Sequence, residues 1–153
     1  MSSTYCAKVS PSRFRRPDES DREQISRSLN AAVHLSLEAT VSRLCTNQEY
    51  VIDKILSGEV EAVVIDNAYL LVYAIGSPWY SLEVALQELL VLRIGTGSEF
   101  SVVTDYLDDI AEVCGCSIIL AGGALARNSR AITRLYQRQG YSLEGTPQFT
   151  KRR

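Results

Sequence analysis

The stretch of this chain best suited to bind a ligand is Arg93-Ile94-Gly95-Thr96-Gly97-Ser98, which follows an apolar run and precedes a helical pattern. Free amides at the start of a helix attract anions, and glycines let a phosphate group approach the backbone. The stretch lacks the Lys-Ser/Thr pair of a Walker loop, and Phe100 holds the third glycine position of G-x-G-x-x-G. It therefore predicts either a phosphate-binding loop or an ordinary turn.

Histidine and cysteine chemistry has little support in the sequence. His34 is the only histidine and has no serine or cysteine nearby in a nucleophile-elbow context, so we expect it on a helix surface or in the core. Of the four cysteines only Cys114 and Cys116 are close together, whereas structural zinc usually needs two such pairs. We therefore expect no metal site and reduced, mostly buried thiols.

The composition is that of one ordinary globular domain. The 153 residues are 46% hydrophobic and 22% charged with a net charge of −2, so nothing global attracts the chain to nucleic acid or a membrane. No apolar run approaches the roughly 20 residues that span a bilayer, and no signal peptide is visible. We expect an N-terminal arm over residues 1–17 and a single domain over 18–153.

Helical patterns dominate the N-terminal part of the domain. A capping-box pattern at Ser20-Asp21-Arg22-Glu23 predicts a helix start, and apolar residues follow at helical spacing as far as Leu44. This region forms one long helix or two helices with a break near residues 34–36. A second capping-box pattern, Thr46-Asn47-Gln48-Glu49, predicts a shorter helix that ends at Ser57-Gly58.

The rest of the chain alternates apolar runs with helices. Residues 60–65 and 69–75 predict a hairpin through a tight Asp66-Asn67 turn, since both residue types tolerate positive φ. Residues 86–94 predict a strand buried on both faces. The remaining predicted elements are a helix ending at Gly115, a buried strand over 117–121, a helix over 129–139, and closing strands over 141–143 and 148–150. This order predicts an α/β fold whose mixed sheet has antiparallel strands first, a strand–helix–strand unit second, and helices on both faces.

Three motifs resemble the GNAT (GCN5-related N-acetyltransferase) superfamily. Leu89-Leu90-Val91-Leu92-Arg93 with its glycine loop resembles the family's acetyl-CoA strand and pyrophosphate loop. Leu135-Tyr136-Gln137-Arg138-Gln139-Gly140-Tyr141 matches the L-Y-x-x-x-G-F/Y signature, and Asn128-Ser129-Arg130-Ala131-Ile132 is similar to the N-x-x-A-I before it. The resemblance covers roughly residues 60–145 and implies a GNAT-like sheet.

The resemblance also implies which residues hold acetyl-CoA. The positions that match are Leu90, Val91, Leu92, Arg93, Gly95, Thr96, Gly97, Ser98, Asn128 and Ser129. In such a protein the strand backbone would bind the pantetheine arm and the loop amides would hold the pyrophosphate. Asn128 or Ser129 would contact the cofactor arm or simply cap a helix.

Two further residues take catalytic roles by the same resemblance. Tyr136 would protonate the leaving thiolate, because a reference pKa near 10 leaves a tyrosine protonated and able to donate. Glu88 would deprotonate the attacking amine, directly or through water. The plain alternatives are a core aromatic for Tyr136 and a solvent-facing strand residue for Glu88.

Two spacings depart from the family pattern. The family loop is usually Q/R-x-x-G-x-G/A, and the glycines counted from Arg93 fall one residue early. The interval from Asn128 to Leu135 is one residue too long, so Ser129 stands in the usual place of the asparagine. Either small loop adjustments absorb these shifts, or coenzyme A binding has been lost.

An arginine stripe and an aromatic pair have several interpretations. The arginines recur at helical spacing and form a solvated face, a contact to the 3′-phosphate of coenzyme A, or a surface for an acidic partner. They are Arg127, Arg130, Arg134 and Arg138. Trp79-Tyr80 lines an acceptor pocket or plugs the core.

We therefore expect a cytoplasmic acetyl-CoA-dependent N-acyltransferase that acts on a small-molecule or protein amine and has no membrane partner. The alternative is a non-catalytic GNAT-like binding or assembly module that associates with itself or another protein, in a virion if a phage encodes it. A nucleic-acid binder using Arg13–Arg16 and Lys151–Arg153 is a third, weaker reading because the body of the chain is acidic.

Overall fold

A computed structural model describes residues 13–35, 47–122 and 129–143, and within them the architecture is α/β with a five-stranded mixed sheet. The strands are β1 (Phe14–Arg15), β2 (Glu61–Ile65), β3 (Tyr69–Gly76), β4 (Ala85–Arg93) and β5 (Ile118–Leu120). The α-helices are α1 (Arg22–Leu35), α2 (Gln48–Leu56), α3 (Ser101–Cys114) and α4 (Ser129–Arg138). Residues 1–12, 36–46, 123–128 and 144–153 lie outside the described residues.

The sheet has the mixed topology that the order of elements predicts. Strands β1 to β4 pair antiparallel in chain order, and β5 pairs with β4 in parallel after the α3 connection. The β2–β3 hairpin turns through Asp66 and Asn67, both with positive φ of 51° and 53°. This confirms the predicted tight turn, since two left-handed residues match the twist of a two-residue hairpin.

Helices cover both faces of the sheet, as predicted. On one face, α1 and α2 bury Ile25, Leu29 and Ile52 against β2, β3 and β4. On the other face, α3 buries apolar side chains against the same strands, with Tyr106 and Leu107 among them. Each face therefore has its own apolar core, and the central strands β2 and β3 contribute to both.

The first helix starts differently from the prediction. Asp18 rather than Ser20 is the cap: the Asp18 carboxylate accepts from the amide of Ser20 at 2.9 Å, and the Asp21 carboxylate accepts from the amide of Asp18 at 2.9 Å. A 3-10 turn at Glu19–Asp21 then leads into α1. Asp18 and Asp21 thus form a capping box of their own two residues before the predicted one, and Arg15 also binds the Asp21 carboxylate through two hydrogen bonds of 2.8 Å.

The signals for helix C-termini are confirmed, whereas the start of α2 differs by one residue. Asn47, and not Thr46 of the predicted capping box, caps α2 by accepting from the amide of Tyr50 at 3.0 Å. Gly58 follows the end of α2 with a φ of 79°. Gly115 and Gly140 end α3 and α4 in the same left-handed conformation, with φ of 68° and 89°.

Three expectations about strands are wrong. Strand β4 is not buried on both faces, since Gln87, Leu89 and Arg93 are exposed. Strand β5 is not fully buried either, because Ile118 and Leu120 are 43% and 38% exposed at the end of the described sheet. Residues 141–143 form no strand. No helix within the described ranges is both long and apolar enough to cross a membrane.

Candidate active site

A buried carboxylate and a buried tyrosine meet beside the sheet. Glu88, on β4, is 5% exposed, and its Oε2 accepts a hydrogen bond from the hydroxyl of Tyr136 at 3.2 Å. The amide of Gly122, just beyond β5, donates to the same oxygen at 2.9 Å. The fold thus brings together the two residues proposed as base and acid, although 48 positions separate them in the chain.

A β-bulge in β4 lies directly after Glu88 and changes the face of the sheet that the following side chains meet. Val72 pairs with Leu90 and Tyr73 pairs with Glu88, so Leu89 is an extra residue without a partner on β3. Before the bulge, Leu86 packs in the core under α3, whereas after it Leu90 packs in the core under α1 and α2. Glu88 therefore lies on the α3 side together with Leu86, two residues before it, and meets Tyr136 there, whereas the bulge turns Leu90 to the opposite face.

Strands β4 and β5 separate just before Glu88. Their pairing covers Ala85 to Gln87 opposite Ile118 to Leu120, and no described strand continues along that side of β4. The amide of Ile94 donates to the carbonyl of Ala68 at 2.8 Å, which fixes the alternation of the β3–β4 ladder. By that alternation the amide and carbonyl of Val91 point away from β3, toward the unpaired side.

Burial dominates the electrostatics of the pair. It raises the pKa of Glu88 above that of an ordinary glutamate, although the hydrogen bonds from Gly122 and Tyr136 act in the opposite direction. Burial also raises the pKa of Tyr136 well above its usual value, and the negative charge of Glu88 adds to this shift. At neutral pH Tyr136 is therefore a hydrogen-bond donor and Glu88 is a stronger base than an exposed carboxylate.

Aromatic packing fixes the tyrosine. Helix α4 presents Tyr136, whose ring meets Phe100 edge-on at 5.3 Å between centroids and Tyr141 at 5.0 Å. A cavity of about 280 Å³ opens beside it, between the end of β5 and α4. Its lining includes Leu120, Gly122, Tyr136 and Tyr141. A small ligand in this cavity would contact the tyrosine of the buried pair.

The glycine loop after β4 is held by internal contacts. The amide of Gly95 donates to the carbonyl of Ala68 at 3.1 Å, so it is already used. A Cβ added to Gly95 would lie 2.2 Å from the carbonyl oxygen of Asn67, which explains why a glycine is needed there. Gly97 has a φ of 102°, a conformation that favours glycine.

Charged side chains brace the same loop. The Ser98 hydroxyl donates to the carboxylate of Asp66 at 3.0 Å, and Arg13 binds that carboxylate at 2.8 and 2.9 Å. The bond from Arg13 is the main cause that lowers the pKa of Asp66. Arg93 donates to the Tyr69 hydroxyl at 2.9 Å and to the Ser98 carbonyl at 3.3 Å, so its guanidinium supports the loop.

The remaining residues predicted to bind acetyl-CoA differ in burial and in whether the structure describes them. Leu90 and Leu92 have buried side chains, so any ligand contact from them would use the backbone, as the resemblance implies. Thr96 is exposed in the loop. Ser129 begins α4, whereas Asn128 lies outside the described residues.

The structure decides between the two hypotheses for the aromatic pair and places most of the arginine stripe. Trp79 and Tyr80 are 95% and 73% exposed, so the alternative in which they plug the core is wrong. Arg130, Arg134 and Arg138 are exposed on α4, and Arg127 is not among the described residues.

Sequence reasoning missed three contributors to the site: Gly122, Asp66 and Tyr141. The Gly122-Gly123 pair was visible only as a loop, and Asp66 only as a turn residue. Tyr141 is the last residue of the L-Y-x-x-x-G-F/Y signature, but the resemblance assigns it no role.

No family model matches the chain, and no curated protein matches it in sequence.

Proposed function

We propose that this chain is a GNAT-type N-acyltransferase that transfers an acetyl group from acetyl-CoA to an amine. The observation that carries the proposal is the 3.2 Å contact between the buried side chains of Glu88 and Tyr136. A carboxylate with a raised pKa and a tyrosine that keeps its proton supply a base and an acid in contact, and the tyrosine lines a cavity. The motif resemblance supplies the reaction class by analogy.

The pair accounts for every proton in the reaction. Glu88 accepts the proton of the attacking amine as its nitrogen bonds to the acyl carbon. Tyr136 gives a proton to the sulfur as the carbon–sulfur bond breaks. Protonated Glu88 then returns a proton to the tyrosinate across their hydrogen bond, so the enzyme recovers its starting state.

Electrostatic coupling sets the order of these transfers. Tyr136 is a weak acid while Glu88 is negative, because that charge helps to raise the pKa of Tyr136. Once Glu88 has taken the amine proton, it is neutral and its charge no longer raises the pKa of Tyr136. The pKa of Tyr136 then falls, although burial still keeps it above its usual value. Glu88 therefore acts before Tyr136.

Backbone groups around β4 suit a coenzyme A substrate. The outward amide and carbonyl of Val91 match the amide groups of a pantetheine arm. The amides of Thr96, Gly97 and Ser98 donate to no acceptor among the described residues, so they are available to a pyrophosphate near the start of α3. Gly95 is excluded from this set because its amide already binds Ala68.

A non-catalytic binding module is the second candidate, and two observations favour it. The Asp66 carboxylate, 3.0 Å from the Ser98 hydroxyl, places a negative charge where a pyrophosphate would lie. The loop between β3 and β4 exposes Trp79, Tyr80 and Leu82, the last of these completely. Exposed apolar side chains in one loop suit a protein partner.

The deciding experiment is a calorimetric titration of the protein with acetyl-CoA, followed by a coupled assay of thiol release with a panel of primary amines. The enzyme hypothesis predicts binding in the micromolar range. Glu88→Gln and Tyr136→Phe should bind acetyl-CoA within a few-fold of wild type but lose about 10² or more in turnover. The absence of binding at millimolar acetyl-CoA would refute the enzyme and favour the binding module.

A further inference from the structure

The hydroxyl of Tyr141 is buried and has no hydrogen-bond partner in the described part of the chain. No described residue donates to it or accepts from it, although its oxygen is shielded from solvent. Buried polar groups are nearly always paired, because an unmade hydrogen bond forfeits the hydration that the group had in water. An unpaired buried hydroxyl therefore needs an explanation, and one explanation is a ligand that supplies the missing hydrogen bond.

The position of Tyr141 points to that ligand. Its amide donates to the carbonyl of Tyr136 at 3.1 Å, and the two rings pack at 61° with centroids 5.0 Å apart. Both tyrosines line the cavity of about 280 Å³ beside α4. The backbone and the ring thus hold Tyr141 beside the tyrosine that contacts Glu88.

We propose that Tyr141 is a further substrate-binding residue, whose hydroxyl donates a hydrogen bond to the carbonyl oxygen of the acyl group in this cavity. The inference rests on the proposed acyltransferase function. The carbonyl oxygen is bonded to the same carbon as the sulfur that Tyr136 serves, so a second donor beside Tyr136 suits it. That oxygen gains negative charge during transfer, and a fixed donor stabilises such charge.

The surroundings keep the hydroxyl a donor and strengthen its bond. Burial raises the pKa of Tyr141 to about 12, so it holds its proton at neutral pH. Apolar side chains of Ile119, Ile132 and Leu143 line the cavity around it. A hydrogen bond to a ligand is stronger in such a low-dielectric setting than in water.

The test compares Tyr141→Phe with Tyr136→Phe in two measurements. Without ligand, Tyr141→Phe should raise the melting temperature by a few degrees, because it removes an unpaired buried hydroxyl. Tyr136→Phe should lower it, because its hydroxyl is bonded to Glu88. A lower melting temperature for Tyr141→Phe would overturn the premise that its hydroxyl is unpaired.

The second measurement is calorimetric titration with acetyl-CoA and with free coenzyme A. Wild type should bind acetyl-CoA about 2- to 10-fold more tightly than coenzyme A, and Tyr141→Phe should bind the two equally. If wild type and Tyr141→Phe show the same preference, this inference fails while the acyltransferase proposal stands. If wild type binds neither compound, the acyltransferase proposal fails and this inference with it.

Discussion

Two carboxylates in the candidate site have opposite surroundings. Glu88 is buried, and its partners are the neutral donors Tyr136 and Gly122, so its pKa is raised. Asp66 lies in the β2–β3 turn and is paired with the cation Arg13, so its pKa is lowered. One carboxylate is suited to take a proton, whereas the other stays ionised at neutral pH and holds the glycine loop through Ser98.

The difference shows which half of the site is ready for its proposed task. The two side chains of the proposed acid–base pair contact each other directly. The loop proposed to hold the pyrophosphate instead uses the Gly95 amide and the Ser98 hydroxyl for internal contacts. The contacts within the pair therefore match its proposed role, whereas part of the loop is already occupied by the protein itself.

The largest effect we expect concerns the loop itself. Gly95→Ala should destabilise the protein by about 2–3 kcal/mol, because the new Cβ would meet the Asn67 carbonyl oxygen at 2.2 Å and backbone would have to move. Urea denaturation measures the change. Gly76→Ala is the matched control, since nothing lies within 4 Å of a Cβ there. Equal stability of the two variants would show that Gly95 does not pack closely against the Asn67 carbonyl.

A second effect separates the two carboxylates by pH. Glu88 has a raised pKa when folded, so its contribution to stability is fully present below its unfolded pKa of about 4.3 and is lost as pH rises through the folded value. Because glutamine does not titrate, the Glu88→Gln variant does not lose stability in this way as pH rises. The variant should gain stability relative to wild type as pH is raised from 4 to 8, as followed by urea denaturation. A difference that does not change with pH would mean that Glu88 is solvated.

The smallest effect tests the anion in the loop. Asp66 has a lowered pKa, so its contribution is present above its unfolded pKa of about 3.9 and is lost as pH falls through the folded value. Asp66→Asn keeps a residue type that tolerates the φ of 51° and should cost less than about 1 kcal/mol at pH 7. This loss of stability should vanish in acid, where Asp66 is protonated. A loss that persists at low pH would show that the substitution acts on the turn conformation and not on the charge.

The same variant sharpens the functional comparison. Asp66→Asn removes the negative charge beside Ser98 and leaves Arg13 without its carboxylate partner. It should bind acetyl-CoA several-fold more tightly than wild type at low salt, and the gain should shrink as salt is added. Calorimetry at two salt concentrations measures this, and unchanged affinity would place the phosphate elsewhere.

Much of the fold could be predicted because its signals are local. The hairpin needs only the tolerance of Asp66 and Asn67 for positive φ, and α3 needs only its apolar stripe and Gly115. The start of α1 was mispredicted because Asp18 and Asp21 form a competing capping box two residues earlier, which Arg15 supports through two hydrogen bonds to Asp21. The burial of β4 and β5 was mispredicted because an apolar run does not reveal which neighbours cover it.

The sequence by itself determined the hairpin turn and the glycines that follow α2, α3 and α4, because each depends on residue type or on a short motif. The resemblance to the GNAT superfamily named Glu88 and Tyr136 as a candidate pair. Only the tertiary structure decided that these two side chains touch. It did so through the separation of β5 from β4 just before Glu88 and through the packing of Tyr136 against Phe100 on the α3 side. A strand separation and a ring contact arise from packing between elements far apart in the chain, and no local pattern encodes that packing.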